Sequence, residues 1–177
     1  MKVADMRIPI SYCLIFTAVL AFEMGCGEQA RPVSIFNMGE KVQAGPLIYT
    51  VIEAEWKPEL GSGDKVHTPS QRFLLVHLTA TNSSAETVSI PSLTLTDSSG
   101  QTYNEAISTA EVPSLWGLVR RVKPADTMEG YILFDVAPKS YKLKLESDAG
   151  SSDVSMVEMP LQFGLGRRDI PSALGNR

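Results

Sequence analysis

Between Gly39 and Phe163 the chain carries no sustained 3.6-residue apolar stripe, and its apolar residues return instead at every second position. Such alternation belongs to strands with one face in a core and the other toward solvent, because successive side chains point to opposite faces. In Phe73 to Asn82 (FLLVHLTATN) one face reads Leu74, Val76, Leu78, Ala80 and the other Phe73, Leu75, His77, Thr79, Thr81. Leu47 to Trp56 sets Ile48, Ile52, Ala54 and Trp56 on one side and Tyr49, Val51, Glu53 and Glu55 on the other. Tyr141 to Glu146 turns Tyr141, Leu143 and Leu145 inward and Lys142, Lys144 and Glu146 outward; a slip of one residue would bury two lysines, so the register is fixed.

Further strands are expected over Val88 to Thr96, Thr127 to Val136 and Val154 to Phe163. Turn formers separate them at Asn82-Ser83-Ser84, Asp97-Ser98-Ser99-Gly100, Ala137-Pro138-Lys139-Ser140 and Asp148-Ala149-Gly150-Ser151-Ser152. Many short strands at hairpin spacing, without crossover helices, predict an all-β fold, an antiparallel β-sandwich of about seven strands.

The first 26 residues have a different character: Lys2 and Arg7 precede an apolar run from Ile8 to Phe22, and Gly25-Cys26 closes it before polar sequence begins. Fifteen apolar residues fall short of the roughly 20 that a membrane-spanning helix needs. The segment resembles the lipobox signal of bacterial lipoproteins. That resemblance implies cleavage before Cys26 and acylation of its thiol and new N-terminus, and Gly25 supplies the small residue that lets the scissile bond enter the peptidase. The position three before the cysteine holds Glu23, where such signals usually place an aliphatic residue. Cleavage at Ala21 or Gly27 and an uncleaved anchor are the alternatives. Residues 1–25 are thus expected to be a signal peptide, 26–38 a tether, 39–163 the sandwich and 164–177 a flexible tail. In an envelope with two membranes, Gly27 in place of the aspartate of inner-membrane lipoproteins implies the outer membrane.

Both cysteines, Cys13 and Cys26, fall in or beside the discarded segment, so the domain is expected to depend on packing rather than a disulfide. Lys2 and Arg7 balance Asp5 and Glu23, and the mature chain keeps the formal charge of −4, which argues against a nucleic-acid partner.

Several segments of the sandwich region also resemble a known family. Gly45-Pro46-Leu47-Ile48-Tyr49-Thr50-Val51, then FLLVHLTATN, then Leu95 to Tyr103 (LTDSSGQTY), then Gly130 to Val136 (GYILFDV) are similar to a family of bacterial lipoprotein domains of unknown function. The resemblance covers roughly residues 39–147 and implies an immunoglobulin-like sandwich of the immunoprotective extracellular antigen type. It names no reaction. Where such domains often have Pro-Gly before a strand, this chain has Pro124-Ala125.

Catalytic equipment is sparse. The only histidines are His67, in a loop read as flexible from Lys57 to Gln71, and His77, in mid-strand, and there is no Gly-x-Ser-x-Gly. No metal ligands stand at binding-loop spacing, and Met156 and Met159 read as core filler rather than copper ligands. No enzyme activity, cofactor or metal is expected. The segment Asn104 to Lys123 is the most suggestive: Leu115, Trp116, Arg120 and Arg121 have the composition of a protein-binding hot spot, and equally of a cap with Trp116 buried and the arginines reaching outward. The expected function is a membrane-anchored envelope lipoprotein with a non-catalytic binding or scaffold module for a protein or cell-surface polymer. The alternative is a carrier of a small ligand or metal.

Overall fold

The computed structural model describes residues 33–107, 112–147 and 153–161. The leader, Cys26 and the tail from residue 164 lie outside the described residues. Eleven strands run through the rest: β1 (Ser34–Asn37), β2 (Lys41–Ala44), β3 (Leu47–Lys57), β4 (Phe73–Asn82), β5 (Val88–Ser89), β6 (Thr94–Thr96), β7 (Thr102–Asn104), β8 (Arg121–Val122), β9 (Thr127–Asp135), β10 (Tyr141–Leu145) and β11 (Ser155–Met159). They form a five-stranded sheet in the order β1-β11-β10-β6-β7, a four-stranded sheet in the order β2-β3-β4-β9, and a small β5-β8 ribbon. Every pair of strands is antiparallel except β1 with β11. This is the β-sandwich that the alternation predicted.

The core lies between the two sheets. Leu74, Val76, Leu78 and Ala80 of β4 face Leu95 of β6, Leu143 and Leu145 of β10 and Val157 of β11, all closed to solvent, with Phe134 of β9 at the centre. At roughly 25 cal/mol per Å² of buried apolar surface, this layer is the main source of stability.

Four details depart from the sequence reading. First, β3 changes its inward set halfway: Leu47, Tyr49 and Val51 are buried, a bulge follows between Val51 and Glu53, and Ala54 and Trp56 then pack on the core while Ile52 is exposed. One inserted residue reverses the parity of the strand, so a strict count of two fails there. Second, the run from Val88 to Thr96 is two strands in different sheets, interrupted by Pro91, whose missing N–H cannot continue a ladder. Third, β1 lies in the stretch expected to be tether, because Phe36 packs on the core and the backbone of Ser34–Asn37 pairs with β11. Fourth, Glu146 is buried where an outward position was expected. Lys144 reaches its carboxylate at 2.8 Å, and its carbonyl accepts a hydrogen bond from the Tyr49 hydroxyl at 2.8 Å.

Asn82 ends β4 as expected, and does so while fully buried. Its side-chain amide donates to the carbonyls of Glu86 (2.6 Å) and Val122 (2.9 Å), and its Oδ1 accepts from the Ser84 amide and hydroxyl. The loop from Lys57 to Gln71, expected to be flexible, is pinned at both ends. Leu60 and His67 exchange backbone hydrogen bonds, and Asp135 accepts the amides of Ser70 and Gln71 at 2.6 and 2.8 Å.

Candidate functional site

The outer edge of β9 would leave a row of unpaired backbone groups, which sandwich proteins commonly cover. Here the segment between β7 and β8 covers it. Ala106 N–H donates to the Leu133 carbonyl, Trp116 N–H to the Tyr131 carbonyl, and Tyr131 N–H to the Ser114 carbonyl. Leu115 and Val112 pack on a second cluster of Leu60, Phe73, Leu75 and Leu133, which buries the outward side of β4 at that end. Gly130 makes the close crossing possible, since a Cβ there would meet the Ser114 carbonyl and the Trp116 ring within 2.7 Å.

Of the residues singled out in this segment, Trp116 is 6% exposed and Leu115 half-buried, while Arg121 is exposed. Arg120 departs from the outward-reaching position expected of it and is buried. Its guanidinium forms a two-pronged ion pair with Glu105, the longer arm at 2.9 Å, donates to the Gly117 carbonyl at 2.6 Å, and lies 5.4 Å from the centre of the Trp116 ring. Glu105 also accepts the Leu93 amide at 2.6 Å. A segment laid over a sheet edge leaves carbonyls and amides inside, and one bidentate pair satisfies several at once. Trp116 and Arg120 are therefore internal, while Ile107, Leu118, Val119 and Arg121 are among the exposed residues.

A larger feature lies at one end of the five-stranded sheet. A groove of about 800 Å³ runs across the ends of β1, β11, β10 and β6, between the turn after β1 and the Asp97 to Gly100 turn. Met38, Tyr141, Met156, Met159 and Pro160 contribute its apolar wall, and Lys142 and Glu158, 3.8 Å apart, stand on its rim. Met156 and Met159 occupy strand positions of opposite parity, one half-exposed and one buried, so their sulfurs do not converge as a ligand pair.

One wall of the groove is fixed by an ionic cluster. Asp97 Oδ2 accepts from Lys139 Nζ at 2.6 Å and from the Tyr103 hydroxyl at 2.9 Å, and its Oδ1 accepts the Ser99 amide and hydroxyl and the Gln101 amide. The Lys139 ammonium lies 5.3 and 5.5 Å from the ring centres of Tyr103 and Tyr141. The Lys139 hydrogen bond, reinforced by those of Ser99, Tyr103 and Gln101, holds the Asp97 carboxyl well below the usual carboxylate range. The same bond to Asp97 raises Lys139. Desolvation raises the Tyr141 hydroxyl, against the opposing charge of Lys139.

The histidines stand apart from this groove. His77 stacks on Tyr131 at 4.6 Å and meets Glu129 at 3.0 Å on the outer face of the four-stranded sheet. His67 lines a smaller recess of about 450 Å³ with Asp135, whose carboxylate is already occupied by loop amides. Among the described residues no three His, Cys, Asp or Glu side chains come together as a metal site.

Sequence reading overlooked Glu105, Lys139 and Tyr103. Lys139 sits in a turn and Glu105 just past a three-residue strand, and neither has a local pattern to mark it; their partners are 42 and 15 residues away.

Among solved structures the chain is similar to the yjhA protein of Bacillus subtilis, with TM-score 0.56 and 18% identity over 70% of this chain and 98% of that one. The secreted protein MPT63 of Mycobacterium tuberculosis is similar with TM-score 0.53 and 14% identity, over 73% and 99%. The ycdA protein of Bacillus subtilis, provisionally described as a lipoprotein, is similar with TM-score 0.51 and 13% identity, over 68% of this chain and 38% of that one. At these identities the likeness concerns the fold alone. A search of curated proteins finds no match. The model of a domain of unknown function, DUF4352, matches residues 36–155, and the chain belongs to that family.

Proposed function

We propose that this protein is an envelope lipoprotein, anchored through lipid on Cys26, whose immunoglobulin-like sandwich is a non-catalytic module that binds its partner in the groove at the end of the five-stranded sheet. The observation that carries this reading is the groove itself. At about 800 Å³, with an apolar wall, charged rim and one side braced by Asp97 and Lys139, it has the size and composition of a recognition site. Methionine side chains suit such a wall because they adapt their shape to what they meet.

A position outside the cytoplasm is supported by the leader pattern of residues 1–26 and by the kinship in fold with a secreted protein and a provisional lipoprotein. An antigen of the immunoprotective type belongs to this same reading. The non-catalytic role is supported by the position of His77, on the outer face of the four-stranded sheet and apart from the groove. The groove volume also suits a small-ligand carrier, the second reading.

Two measurements test the proposal. Intact mass and membrane partition of the wild type beside Cys26→Ser report the anchor: acyl mass on a chain starting at Cys26, and membrane association lost in the variant, are the expected results. Binding to cell-wall polymer and to envelope extract, wild type beside Met156→Arg, reports the groove, and equal binding by both chains would overturn it. Thermal stabilisation by a small molecule, lost in the same variant, would favour the carrier.

A further inference from the structure

Cysteine occurs only at positions 13 and 26, so the oxidisable sulfur of the described residues is thioether. Met38, Met128, Met156 and Met159 carry it, and all but Met128 line the groove at the end of the five-stranded sheet. Their cover is graded. Met159 is 3% exposed and packs in the core, whereas Met38 and Met156 are half-buried and open to the groove. Met128 packs on the core from β9, in the opposite sheet. The register sets Met156 opposite Ile35 of β1, which is 51% exposed, so the apolar strip on this side of the groove runs through the Met156 thioether.

A thioether is apolar and adaptable, and one added oxygen makes it a polar, chiral sulfoxide that disrupts methionine-rich contact surfaces. The fold decides what that change would do at each position. At Met159 the sulfur is shielded by the core, so an oxidant reaches it only when the structure opens. At Met156 the sulfur is accessible in the native state, and the altered surface is the one a ligand meets.

We propose that Met156, together with Met38, is a reversible oxidation site that switches the groove from an apolar to a polar surface and so releases its ligand. The proposal rests on the groove reading above and adds a control to it. The oxidant is a peroxide: the sulfur lone pair attacks one peroxide oxygen, the O–O bond breaks as the S–O bond forms, and the departing hydroxide takes up the remaining proton as water. Sulfur is oxidised and the peroxide reduced. Methionine sulfoxide reductase, drawing on a thiol reductant, reverses the step.

The test treats the full-length protein with hydrogen peroxide, maps oxygen addition by peptide mass, and follows binding to purified cell-wall polymer and to envelope extract. Met156 and Met38 are expected to gain oxygen well before Met159, binding to fall several-fold, and methionine sulfoxide reductase with dithiothreitol to restore it. Met38→Leu with Met156→Leu keeps an apolar wall without thioether, and whatever its own level of binding, peroxide should leave that level unchanged. Met128→Leu should remain as sensitive as wild type. Undiminished binding by a chain oxidised at Met156, or equal sensitivity in the double leucine variant, would overturn the switch while leaving the groove reading intact. Early oxidation of Met159 would overturn it too, since the graded cover would then be absent. Before any oxidant, a wild type that binds neither preparation, or binds no better than Met156→Arg, sinks the groove reading and takes the switch with it.

Discussion

The guanidinium of Arg120 lies on the carboxylate of Glu105, fifteen residues earlier, and both side chains are nearly closed to solvent, at 2 and 10% exposure. The pair joins the two ends of the segment that covers β9. Breaking a buried pair leaves one charge uncompensated, at a cost of about 3–5 kcal/mol, whereas replacing both partners with apolar groups of similar volume is often neutral. Arg120→Met and Glu105→Leu are each expected to lower stability by about that amount, and the double variant to recover part of it, since the Leu93 amide and the Gly117 carbonyl lose these partners as well. Denaturant titration of the four chains measures the coupling; simple additivity would show that the pair does not act as a unit.

Gly130 is the point where the covering segment crosses β9. A methyl group there must displace the Ser114 carbonyl or the Trp116 ring, and overpacking of this kind costs about 1–3 kcal/mol. Gly130→Ala should lower Tm and shift the Trp116 emission to the red as the indole loses cover. Unchanged emission would mean that the ring is not seated against this glycine.

Ala125 occupies the left-handed region at φ 58°, after Pro124 and before Asp126, whose N–H donates to the Lys123 carbonyl at 3.1 Å. Proline followed by a residue with positive φ is the pattern of a type II turn, which favours glycine in the second place. Ala125→Gly is expected to raise stability by about 0.5–1 kcal/mol once the extra freedom of the unfolded chain is subtracted. A drop in Tm on differential scanning calorimetry would contradict it.

The depressed Asp97 carboxyl links stability to pH. A carboxyl whose pKa is lower folded than unfolded contributes fully above its unfolded value, near 4, and the contribution fades as pH falls through the folded value. Lys139 is raised, so its contribution holds below the unfolded lysine value, near 10, and fades above it. Asp97→Asn should therefore be less stable than wild type across neutral pH, by a few degrees in Tm. The gap should narrow below about pH 4. A gap independent of pH would assign the loss to turn geometry rather than to the ionised carboxylate.

Residues as ordinary as Leu74, Val76 and Leu78 made β4 legible, because a half-buried strand must repeat every two residues and nothing local competes with that period. The same logic failed at Ile52, where one bulged residue reversed the faces of β3; the distance count cannot register an insertion whose cause lies in the pairing with β4. Trp116 and Arg120 illustrate the limit for the site. Their composition suited a contact surface and a cap equally, and only the crossing over Gly130 and the reach of Arg120 to Glu105 made both internal. The groove was not legible at all, since its walls come from four strands and the turns between them, which meet only on folding.

The sequence by itself determined the sandwich class, the turns at Asn82 and Asp97, and the inward register of Tyr141, Leu143 and Leu145, because each depends on neighbours two to four residues away. The tertiary structure decided which polar groups are internal, where the groove opens, and which methionines line it. Those depend on pairings between distant segments, and burial, ion pairing and cavity shape exist only once both partners are in place.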